Sequence, residues 1–196
     1  MKIIRSALFV SLLCLCGCSQ LAQTSAPAAT STPSAGQAAF DRMKDLAGIW
    51  ETQPDSDGNK ERVEYKTTVG NQVLLETIFP RTPEEMISVY FLDQGALAMT
   101  HYCLIGNQPF LKAIATDENT LVFQFAGGTN ITNPEKDSYM SQMTLTFIDD
   151  GHIKIVWHSH ATNHPDKVLE LTRVRHHIEK NAPPAHHHTH HRKHKA

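Results

Sequence analysis

The stretch RVEYKTTVGNQVLLETIFP, residues 62–80, sets two runs of β-branched, aromatic and aliphatic side chains on either side of Gly70-Asn71. In the first run Val63, Tyr65 and Thr67 alternate with Glu64, Lys66 and Thr68. That is the two-residue period of a strand, not the 3.6-residue period of a helix. Gly followed by Asn tolerates the positive φ that a tight connection needs, so the pair predicts an antiparallel hairpin. The same pattern extends both ways along the chain. Strands are expected over 49–52, 62–69, 72–79, 86–92 and 96–104, then over 110–116, 120–126, 139–148, 152–160 and 167–175. Turn signals separate them: DSDGN at 55–59, PRTPEE at 80–85, DQG at 93–95, GNQP at 106–109, DEN at 117–119 and DDG at 149–151. About ten short-linked strands, preceded by an amphipathic helix over 37–46, predict an all-β fold: an antiparallel up-and-down barrel, which has no open edge. A two-sheet sandwich is the competing architecture.

Both ends of the chain differ from this middle. Lys2 and Arg5 precede an apolar run, Ala7 to Leu15, of signal-peptide length and too short to span a bilayer. Leu15-Cys16-Gly17-Cys18 then resembles a bacterial lipobox, which implies cleavage after residue 17 and a lipid on Cys18. Ser19 beside the lipidated cysteine implies outer-membrane sorting on the same resemblance. Residues 18–36 are rich in Ser, Thr, Ala, Pro and Gln and read as a flexible linker. The barrel is expected over 37–175, and residues 176–196, with eight of the thirteen histidines, read as a disordered tail. Residues 36–175 carry nineteen acidic and twelve basic side chains. An acidic domain without a basic stripe argues against nucleic acid as a partner. Membrane attachment is expected through the lipid alone.

LAGIWE, 46–51, is similar to the opening strand of the calycins, the lipocalin and fatty-acid-binding-protein group, where a Gly-x-Trp stands at the closed end of the barrel. That resemblance implies a basic residue of the last strand stacked on the Trp ring. LELTRVR, 169–175, offers Arg173 and Arg175, and parity selects Arg173 to pair with Trp50. Residues 44–175 also resemble a set of uncharacterised exported bacterial proteins through LLETIFP, THYC, GNQP, FAGGTN and MTLTF. The resemblance implies a calycin-like barrel and no defined activity. Tyr139-Met140 departs from that set, which has His-Met there.

Residues able to do chemistry are few. His101 and Cys103 share a strand face with Leu97 and Met99, and a pair at i and i+2 can share a metal, although a buried His and a packed Cys are the commoner outcome. Ile153, Ile155 and Trp157 make the apolar face of their strand, which turns His158 and His160 outward or onto the rim. Glu76 has two readings: inward with Leu74 and Ile78, where a carboxylate needs a partner, or outward if Val73, Leu75, Thr77 and Phe79 face the core. The outward reading is slightly favoured. Asn107 and Gln108 read as turn residues, and GGTN, 127–130, as a turn without the context of a phosphate loop. No nucleophile elbow, zinc-protease or nucleotide motif is present.

Two functions follow from this inventory. In the first, a membrane-anchored barrel binds a small, largely apolar ligand, lined by Tyr65, Met99, His101, Cys103, Phe123, Phe125, Phe147 and Trp157. In the second, His186, His187, His188, His190, His191 and His194 gather Zn, Ni or Cu on the tail. A haem-binding or catalytic barrel is a weaker third. An enzyme is the less expected outcome, and no cofactor is certain beyond the candidate metals Zn, Ni and Cu.

Overall fold

A computed structural model describes residues 34–174 apart from 117, 162 and 164. Cys18, the tail histidines and the expected signal, linker and tail therefore lie outside the described residues, apart from the end of the linker at 34–36.

Ser34 accepts from the Gln37 amide at 3.2 Å and caps helix α1, Ala35–Lys44, whose last turn carries Arg42 and Lys44 against the carbonyl end of its dipole. The helix starts and stops two residues before the expected 37–46. Ala39, Phe40 and Met43 make its buried stripe. Gly36 fixes how the helix sits, because a Cβ there would come within 2.1 Å of the Gly95 carbonyl oxygen. The helix start thus presses against the turn that joins two strands of the barrel.

The strands are β1 (Gly48–Thr52), β2 (Arg62–Thr68), β3 (Val73–Ile78), β4 (Met86–Asp93), β5 (Ala96–Tyr102), β6 (Gln108–Thr116), β7 (Thr120–Thr129), β8 (Tyr139–Asp149), β9 (His152–His160) and β10 (Lys167–Arg173). Every strand pairs antiparallel with its sequence neighbours, and β10 returns to β1, closing a ten-stranded up-and-down barrel. Closure pairs Trp50 with Arg173 and satisfies the edges that a sandwich would leave open. β9 shows the alternation plainly: Ile153, Ile155 and Trp157 are buried, and the residues between them are not.

Two expectations change. GNQP was expected as a turn, but Gln108 and Pro109 belong to β6 and pair with Thr129 and Gly128 of β7, so the GGTN segment is largely strand. Its glycines serve close approach: a Cβ on Gly128 would lie 2.7 Å from the Gln108 carbonyl oxygen. β3 takes the other parity from the favoured one. Leu74, Glu76 and Ile78 are buried, and Val73, Leu75 and Thr77 face the half-exposed outside. The outer face is the more apolar of the two, which is why alternation misled.

Candidate binding site

Four consecutive strands each place one polar side chain in a single inward row. The registers are Tyr65 opposite Glu76, Glu76 opposite Ser88, and Ser88 opposite His101. Tyr90 stands two residues from Ser88 on the same face of β4. All five are buried. The Tyr65 hydroxyl donates to Glu76 Oε1 at 2.6 Å and the Tyr90 hydroxyl to Oε2 at 2.9 Å. The Ser88 hydroxyl, opposite Glu76 in the register, also favours the charged carboxylate. Ser88 Oγ lies 3.0 Å from His101 Nδ1.

Burial dominates the titration of these groups. It raises Glu76 above the usual carboxylate range against the three hydroxyls that pull it down. Burial and the adjoining carboxylate hold Tyr65 and Tyr90 well above the usual phenol range, so both remain donors. Burial lowers His101 from 6.5 to about 4, which leaves the imidazole neutral near pH 7. Among the described residues no Lys or Arg forms an ion pair with Glu76; its partners are hydroxyls.

Among the described residues three buried side-chain atoms lack a hydrogen bond: Arg62 Nε, which has Glu64 Oε1 at 3.0 Å as an ion-pair partner, His101 Nε2 and Asn107 Oδ1. The His101 ring lies 4.8 Å from the Trp157 ring at 40°. The Asn107 Nδ2 donates to the Ser138 carbonyl at 2.7 Å. The Cys103 amide donates to the Asn107 carbonyl at 3.1 Å, so Asn107 stands across from the second residue beyond His101. On the far wall Tyr139 stacks between Phe125, at 4.2 Å, and His160, at 5.0 Å.

Of the expected lining, Tyr65, Met99, His101, Phe123 and Trp157 are buried in one core. Phe123 packs edge-on to Tyr90 at 5.7 Å. Phe125 is half-buried against Tyr139. Phe147 lies at the opposite end, beneath the Arg42 guanidinium at 4.1 Å. Cys103 follows β5, half-buried, and the Gly106 amide donates to its carbonyl in the turn. Among the described residues no three of His, Cys, Asp and Glu come together as a metal site. His158 pairs with Asp166 at 2.8 Å and His160 binds the Asp137 carbonyl at 3.2 Å, both on the rim. Sequence reading passed over Ser88 and Tyr90, placed Glu76 outside, and put Asn107 in its turn without seeing that its side chain is buried. The signal available was register: an inward Tyr65 puts whatever lies opposite it, here Glu76, inside as well.

The closed end has its own cleft of about 640 Å³, flanked by Arg42, Trp50, Phe147 and Arg173. Its cations are already engaged. Arg173 lies 4.4 Å over the Trp50 ring and donates to the carbonyls of Asp45 at 2.6 Å, Ala47 at 3.0 Å and Asp150 at 3.3 Å. Arg42 donates to Asn119 at 3.3 Å. This cleft is the outside of a structural lock.

Compared with protein-family models and with curated proteins, the chain matches none. The reading of the site rests on its own geometry.

Proposed function

We propose that this chain is a lipid-anchored protein of the bacterial envelope, held in the outer membrane through Cys18, whose lipocalin-like barrel binds a small, largely apolar molecule. One observation carries the reading: a neutral, buried imidazole whose Nε2 lacks a partner, set against Trp157 toward the end of the barrel that α1 does not cover. An unsatisfied buried polar atom costs about 1–3 kcal/mol, so a fold retains one mainly where something else binds it. Aromatic and aliphatic side chains around a few polar atoms are the usual lining of a small-molecule site. The calycin resemblance of LAGIWE and Arg173 supports the same reading, as does the stacked pair those residues form.

A second reading, capture of Zn, Ni or Cu by the tail, is supported by six closely spaced imidazoles between His186 and His194. Native mass spectrometry of the full chain, purified without chelator or affinity metal, separates the two. It is run beside a variant with those six histidines changed to Ala. An organic adduct on both chains is the expected result and places the ligand in the barrel. Metal on the unaltered chain alone assigns the function to the tail, and bare protein in both cases overturns both readings.

A further inference from the structure

We propose that the outer face of β4, β5 and β6, with the turn that joins β5 to β6, rests on the lipid bilayer to which the chain is anchored. The proposal depends on the lipid anchor read above and adds which side of the barrel meets the membrane.

The turn carries the first observation. The Gly106 amide donates to the Cys103 carbonyl at 3.0 Å, which puts Leu104 and Ile105 at the two central positions of a tight turn. Those positions ordinarily hold Gly, Pro, Asn, Asp or Ser. Here they are aliphatic, and they are 59% and 62% exposed. Tyr102, also exposed, stands at their base. The other connections at this end of the barrel are charged: Asp55 and Asp57 lie between β1 and β2, Arg81, Glu84 and Glu85 between β3 and β4, Glu135 and Lys136 between β7 and β8, and Asp166 between β9 and β10. Between Asp93 and Lys112 the sequence has no Asp, Glu, Lys or Arg at all.

The apolar character continues from the tip along the wall. Phe91 and Phe110 stack at 6.3 Å and 24°. Register sets them opposite Ala98 and Thr100, on the side of their strands that faces away from the core. Ile114 is exposed farther along β6. Single exposed hydrophobics are ordinary on a protein surface, whereas a run of them free of charge marks an interaction surface.

The chain itself indicates what covers this surface. Cys18 and Ser34 are sixteen residues apart, so the backbone between them reaches at most about 55 Å. It meets the barrel where α1 begins, and Gly36 there presses on the Gly95 turn from which β5 starts. The tether therefore arrives at one end of β5, and the Leu104-Ile105 tip lies at the other, about 26 Å along at about 3.3 Å per residue. A barrel lying on this face brings both to one plane within that reach. The lipid holds the chain at high local concentration on the bilayer, so a small apolar contact suffices to orient it. Lys112 is paired with Asp93 at 2.8 Å, and among the described residues the face offers no free cation to anionic headgroups. With nineteen acidic and twelve basic side chains over residues 36–175, the domain suits a neutral bilayer.

Fluorescence quenching tests this on the full chain, expressed in a bacterium, purified in detergent and placed in vesicles of phosphatidylcholine brominated in its acyl chains. Ile105→Trp puts an indole at the tip, and Ile148→Trp puts one at a comparably exposed position at the end of β8; the unaltered protein supplies the background of Trp50 and Trp157. The indole of Ile105→Trp is expected to lose most of its emission and that of Ile148→Trp to keep it. Quenching that is equal at both positions, or that grows with added phosphatidylglycerol, overturns the proposal. An unquenched Ile105→Trp indole on a chain that stays with the vesicles overturns the docked face and leaves the anchor in place. A chain that leaves the vesicles and carries no acyl mass on Cys18 overturns the anchor as well. A dimer of the unaltered chain that Leu104→Asp dissolves gives this face to a second copy, and so also overturns the proposal.

Discussion

At the closed end Arg173 lies over Trp50 and gives its N–H groups to three backbone carbonyls, while Trp50 Nε1 donates to the Leu46 carbonyl at 2.8 Å. Toward the other end Glu76 is buried among hydroxyls, and His101 Nε2 and Asn107 Oδ1 are buried with no partner. Both regions hold polar groups against aromatic rings. They differ in whether the accounts close: the first has its donors matched to acceptors within the chain, the second has acceptors left over. A group matched internally explains stability, and a group left over asks for a partner from outside the chain, a water or a ligand.

The largest expected effect tests the closed end. Trp50→Ala removes a fully buried indole, the hydrogen bond to Leu46 and the surface on which Arg173 stacks. A loss of about 3–5 kcal/mol is expected in denaturant unfolding, the range for large aromatic truncations. The stacked cation adds up to about 2 kcal/mol where it is desolvated. A loss below about 1 kcal/mol would show that the lock is ornamental and that helix α1 alone holds that end.

The next effect separates the two regions by pH. His101 falls from 6.5 to about 4 on folding, so between those values the unfolded chain binds more protons than the folded one. Stability from this group is complete above about 6.5 and is lost as pH falls toward 4, by about 3 kcal/mol in all. Glu76 has the opposite sign. Its carboxyl is raised on folding, so its contribution is complete below the ordinary value of 4.5 and declines as pH rises from there. Unfolding measured between pH 4 and 7 should therefore show the His101 acid limb partly offset by Glu76, and His101→Gln should remove that limb. No pH dependence is expected to change when Trp50 is replaced. An unaltered acid limb in His101→Gln would place the proton-linked group elsewhere.

These regions were also unequally legible in the sequence. Trp50 and Arg173 were readable because strand parity and the Gly-x-Trp resemblance agreed, and β9 was readable because its apolar residues all fall on one face. β3 offered no such agreement: Val73, Leu75 and Thr77 alternate with Leu74, Glu76 and Ile78, both faces are apolar, and an acid argues for solvent. Only the barrel's register, which brings Tyr65, Ser88 and their neighbours to Glu76, supplies the partners that make burial tolerable. Asn107 was hidden for a related reason. Gly106 and Pro109 signal a turn, and Asn107 does lie in it, one residue before β6 begins at Gln108; what the signal does not carry is the burial of its side chain against Ser138. Long-range pairing decides both cases, and local composition does not contain it.

The smallest expected effect is the most informative about the polar row. Glu76→Gln keeps the shape of the side chain and removes the charge, so it gives up the desolvation cost and weakens the hydrogen bonds from Tyr65 and Tyr90 together. Those terms oppose one another, and replacing a buried charge by a neutral group of similar volume is often close to neutral. A change within about 1 kcal/mol at pH 7 is expected by denaturant unfolding, with the decline of stability above pH 4.5 that Glu76 causes now absent. Glu76→Ala should cost more, about 2–4 kcal/mol, since it leaves a cavity and buried hydroxyls without an acceptor. The contrast between the two variants carries the weight: it distinguishes a carboxylate kept for its charge from one kept for its shape. A charge that contributes little to stability is left free to serve recognition; equal losses in the two variants would return Glu76 to the structural side of the comparison.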